Sequence, residues 1–68
     1  MPLHAAQQAL ANPNITKQEL FERIGQTNVE IGNLYCRCKT DPQLTEDLLE
    51  LEIALVKLTE KYQKMIGE

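Results

Sequence analysis

Apolar residues recur every three or four positions through most of this chain, in two long runs separated by one clear break. In the first run Leu20, Ile24, Thr27, Ile31, Leu34 and Cys38 step by four and three, the spacing that keeps side chains on one helical face. Phe21, Asn28 and Tyr35 widen that stripe on one side. In the second run Leu44, Leu48, Leu51, Leu55, Leu58, Tyr62 and Met65 repeat the same step. The break is Lys39-Thr40-Asp41-Pro42, where Asp41 suits an N-cap and Pro42 the first helical position, at which its missing amide costs nothing.

The ends of both helices are written locally. Thr16 with Glu19 fits a capping box, with Ile15 and Leu20 as the hydrophobic staple. Arg37 and Lys39 place positive charge in the last turn of the same helix, against the negative end of its dipole. The later helix carries Glu46, Asp47, Glu50 and Glu52 early and Lys57, Lys61 and Lys64 late, the same complementarity spread over its length, and Gly67 ends it. The spacing therefore predicts long helices over residues 16–39 and 42–66. At 1.5 Å per residue each is roughly 35 Å long, and a connection of a few residues makes them antiparallel neighbours.

A shorter helix precedes them. Residues 2–11 have Pro2 at a tolerated helix start and Leu3, Ala6 and Leu10 at helical spacing, and Asn12-Pro13-Asn14 stops the segment. About ten residues do not hold a helix alone, so this one must dock or fray. The expected architecture is all-α: one helical domain over residues 1–68, an antiparallel hairpin of two long helices preceded by a short N-terminal helix.

The later helix has more apolar surface than one partner helix can cover. Leu49, Ile53 and Val56 follow a four-three spacing of their own, offset from the main seam. Either the first helix folds back over this row or a second copy of the chain covers it. Self-association is the favoured expectation, because a lone hairpin of this size is marginal and a four-helix-bundle-like dimer is the common remedy. Gly25 and Gly32, seven apart on one face, point the same way. Each costs about 1 kcal/mol relative to Ala inside a helix, and together they would admit another backbone closely.

Composition narrows the chemistry. A chain of 68 residues buries only about 60% of its unfolded surface. Cys36 and Cys38 are too few for a disulfide framework and, two apart on a helix, point to nearly opposite sides. A reducing cytoplasm is the natural setting for them. Met1 to Leu10 lacks the basic start and apolar run of a secretory signal. The longest apolar stretch, Ile53-Ala54-Leu55-Val56, is far below the roughly 18 residues of a membrane span.

No catalytic constellation emerges. His4 has no second imidazole or supporting carboxylate beside it in sequence, so neither a triad nor a metal site can be drawn, and no cofactor cradle exists among the scattered glycines. Glu46, Asp47 and Glu50 read as a solvated first turn that could also meet a basic partner. Net charge is -3, which argues against nucleic acid; a dimeric helical nucleic-acid regulator would need Arg23, Arg37 and Lys39 to form a basic face on pairing.

The expectation is a non-catalytic protein-interaction module, an adaptor, inhibitor or regulator of the bacterial or phage accessory type. Its interface candidates are Leu49, Ile53, Val56, Gly25, Gly32, Glu46, Asp47 and Glu50. Its expected partners are a second copy, a larger protein, or both, with no small-molecule substrate. In length, and in a short helix followed by a long hairpin, the chain is similar to the small co-chaperones that hold type III secretion needle subunits. That resemblance is one of architecture and implies a heterocomplex with a second, repeat-like helical chaperone.

Overall fold

Thr16 fixes where the first long helix begins. In the computed structural model, which describes residues 2–67, its hydroxyl accepts from the Glu19 amide at 3.1 Å while the Glu19 carboxylate accepts from the Thr16 amide at 3.3 Å. Both halves of the capping box are therefore made, and helix α2 runs Lys17–Cys38. Helix α1 precedes it at Pro2–Ala11, and helix α3 follows at Thr45–Gly67. Among the described residues there is no strand.

The turn between the long helices is tied down on both sides. The amides of Thr40 and Asp41 both donate to the Arg37 carbonyl, at 3.1 and 2.9 Å, closing the end of α2. Asp41 then accepts from the Gln43 amide at 3.1 Å through its side chain. The residues that follow, Pro42–Leu44, form one 3₁₀ turn, so the regular α-helix starts three residues later than the pattern predicts. Tight turns of this kind are frequent at helix N-termini.

α2 and α3 pack along their length, and Phe21 near the start of α2 lies 5.7 Å, centroid to centroid, from Tyr62 near the end of α3. The two helices therefore run antiparallel. Leu20, Leu51 and Leu58 are sealed from solvent between them, and Thr27 with them. Thr27 is a polar residue in the seam, and it is accommodated because its hydroxyl donates to the Arg23 carbonyl at 2.7 Å, inside its own helix.

α1 docks on one flank of the hairpin, chiefly against α3, through its smallest residues. Ala6 and Ala9 are buried, and they join Leu20, Leu51, Ala54 and Leu58 in a single apolar cluster. This moves the buried stripe of α3. Ala54, absent from the predicted seam, is buried, while its neighbour Leu55 is half-buried. The Ala54 methyl lies toward the α1 flank, where a larger residue would hold the α1 backbone away.

The same docking corrects the expected width of the α2 stripe. Phe21, Asn28 and Tyr35 are exposed, with Phe21 at 61% and Tyr35 at 59%. They stand on the flank of α2 away from α1, so no third helix covers them.

Lys61 anchors α1. Its ammonium donates to the carbonyls of Ala9, Leu10 and Asn12 at 3.1, 3.0 and 2.9 Å. The last carbonyls of a helix have no partner within it, and they carry the negative end of its dipole. One lysine supplies three donors, and here all three are used on that end. A helix too short to persist alone is thus held by a charge placed some fifty residues later in the chain.

The molecule is elongated, 43 by 16 by 14 Å. Its radius of gyration of 12.5 Å exceeds the about 11 Å typical of a chain this long. More of its helical surface consequently faces solvent than in a rounder domain.

Two substitutions separate these roles. Leu51→Asp should abolish cooperative folding in circular dichroism, because it buries a lone charge between α2 and α3. Lys61→Met keeps the apolar stem and removes the ammonium. It should leave the hairpin helical, lower stability by about 1–3 kcal/mol, and strip hydrogen-exchange protection from the α1 amides first.

Candidate functional site

Once α1 is docked, the outer side of α3 remains open. At about 100° per residue, Leu49, Ile53 and Val56 stand roughly opposite Leu51 and Leu58. They are 54, 56 and 57% exposed. The alternative in which α1 folds over this row is therefore corrected: α1 does dock, but beside the row. Ala54 is the reason, since it offers a small-residue track one position away, and the close approach of Ala6 and Ala9 needs such a track.

α1 reaches the row only at its edge. A shallow depression of about 230 Å³ lies between them, with Leu3 and Leu10 on the α1 side and Glu50, Ile53 and Lys57 on the α3 side. Glu46 and Glu50, one turn apart and exposed, border the N-terminal part of the row. Asp47 is half-buried on the seam side of α3 and does not join them. The row thus has acidic residues at both ends, Glu46 and Glu60, with Lys57 on its α1 side next to Val56.

Gly25 and Gly32 lie elsewhere, on the outer side of α2 with the exposed Val29 between them. A Cβ built on either glycine meets nothing within 4 Å. The close backbone approach that their spacing suggests is not made within one chain.

The remaining polar candidates are dispersed. His4 is exposed and within 3.0 Å of the Gln8 amide nitrogen, one turn along its own helix. Cys36 is exposed, Cys38 is half-buried, and both are free thiols. No three His, Cys, Asp or Glu side chains gather at metal-binding distance among the described residues. Of the basic trio, Arg23 is turned to Glu30 at 3.7 Å, while the Lys39 ammonium lies 5.6 Å from the centre of the Tyr35 ring. Sixteen residues of helical rise, about 24 Å, separate Arg23 from Lys39.

Two features escape the sequence pattern. The Arg23–Glu30 pair spans seven residues, two turns of α2, beyond the three or four that separate neighbouring charges on a helix face. The Lys61 anchor is wholly non-local. Its only trace in the sequence is a lysine on the flank of α3 nearest a helix whose last carbonyls need donors.

The glycines give a direct measurement. Gly25→Ala and Gly32→Ala should each raise stability by about 1 kcal/mol in urea unfolding, because a methyl fits in open space at both positions and Ala is the better helix former. A loss of stability would mean that a neighbour occupies that space in solution. No family model, curated protein or solved structure matches this chain, so the functional reading rests on the geometry above.

Proposed function

We propose that this protein is a non-catalytic interaction module that acts by presenting the outer face of α3 to a larger protein, as an adaptor, inhibitor or regulator. The observation that carries this reading is the exposure of Leu49, Ile53 and Val56, each more than half open after the core has closed. Single exposed apolar residues are ordinary; a row of three large ones on one helix is not. Their spacing is i, i+4 and i+7, the register by which a helix lays its anchors into a partner's groove.

The surroundings define the partner further. Glu46 and Glu50 beside the row favour an apolar groove with a basic rim. The row is also independent of the core: Leu51, Ala54 and Leu58 hold the fold from the opposite and flanking sides of the same helix. Binding can therefore be removed without unfolding the molecule.

Affinity capture from native lysate tests this with matched variants. Wild type and a control on the exposed start of α2, Gln18→Glu, should retain the same protein in stoichiometric amount, and Val56→Glu should lose it with helicity unchanged. Equal retention by Val56→Glu would contradict the assignment of this face.

A further inference from the structure

The α3 row carries information about the direction of an approaching helix. Glu50 and Lys57 both line the depression on the α1 side of the row, three residues before and four after Ile53. Among the described residues neither forms an ion pair; the pair that is formed joins Arg23 to Glu30. Glu46 and Glu60, also exposed, close the row at its two ends.

We propose that a second copy of this chain covers the row when no larger protein does, with the two α3 helices packed antiparallel about a two-fold axis close to Ile53. This rests on the reading of the outer face of α3 as the interaction surface, and it names one occupant of that surface. The charges select the direction. In a parallel pair the two-fold axis runs along the helices and carries the α1 side of each copy to the opposite flank, so Glu50 and Lys57 find no partner across the contact. In the antiparallel pair Glu50 of each copy meets Lys57 of the other, twice by symmetry, while Glu46 and Glu60 come together only at the exposed ends, where solvent screens them. The helix dipoles also oppose each other only in that arrangement.

Side-chain size fits the same reversal. Turning the row end for end sets Leu49 against Val56 and Ile53 against itself, so large apolar residues meet along the whole contact. Leu3 and Leu10 border the depression beside Ile53 and extend the apolar ground at that edge. The contact is short, because the acidic residues at both ends limit it. A contact of three apolar side chains per copy makes a weak pair that exchanges readily.

Sedimentation equilibrium of the full chain between about 10 µM and 1 mM tests the proposal, a range chosen to bracket that weak affinity. Wild type should show a reversible monomer–dimer equilibrium. Glu50→Lys and Lys57→Glu should each raise Kd roughly tenfold, and the double variant should return to within about threefold of wild type, because exposed charge contacts are individually small and here occur twice. Ile53→Glu should be monomeric throughout with its helicity retained. Wild type that stays monomeric at the highest concentration would overturn the proposal. So would a dimer indifferent to Ile53→Glu, or a double variant weaker than either single one. A monomer that still captures a stoichiometric protein through Val56 would remove the second copy while leaving the role of this face intact.

Discussion

A helix of ten residues cannot cover both flanks and the back of a hairpin whose arms are twice as long, and much of this molecule follows from that shortage. α2 and α3 close a narrow seam around Leu20, Leu51 and Leu58. α1 adds one flank, where Ala6, Ala9 and Ala54 allow close approach and Lys61 binds the exposed carbonyl end. The opposite flank and the outer side of α3 are left over. A small domain has little apolar surface to spare, so large residues remaining in water are the ones to explain.

How α1 is held also matters. Ala6 and Ala9 bury little area and Leu3 and Leu10 are only half-buried, so the contact of α1 with the hairpin gains modestly from the hydrophobic effect. The Lys61 contacts supply direction as well as attraction, since they can be made only with the C-terminal end of α1 over that part of α3. α1 is therefore positioned by polar geometry on an apolar bed. That combination fixes it beside Ile53 and keeps it off the Leu49–Val56 row.

Much of this was legible in the residues. The Thr16–Glu19 box, the Asp41-Pro42 restart and the four-three spacing of the leucines place the helices because each signal is local, acting within one turn of the chain. The all-helical character followed from the same periodicity. What the pattern did not reveal is non-local. Ala54 reads as filler until α1 lies against it, and Phe21 and Tyr35 read as seam until the third helix takes the other flank. Lys61 reads as one more cation at a helix end. For the candidate site, the row was visible as surplus periodicity, whereas its freedom from α1 depended on where Ala54 lets α1 settle. Gly25 and Gly32 share a face in sequence and structure alike, but not the face that carries the row.

The central claim is that Leu49, Ile53 and Val56 face solvent in the single chain while Leu51 and Leu58 do not. Methyl relaxation enhancement by a soluble paramagnetic agent reads this directly on dilute, methyl-labelled protein. The account requires strong broadening of the Leu49, Ile53 and Val56 methyls with those of Leu51 and Leu58 protected. Protection of the Ile53 methyls to the level of Leu58 at high dilution would contradict it.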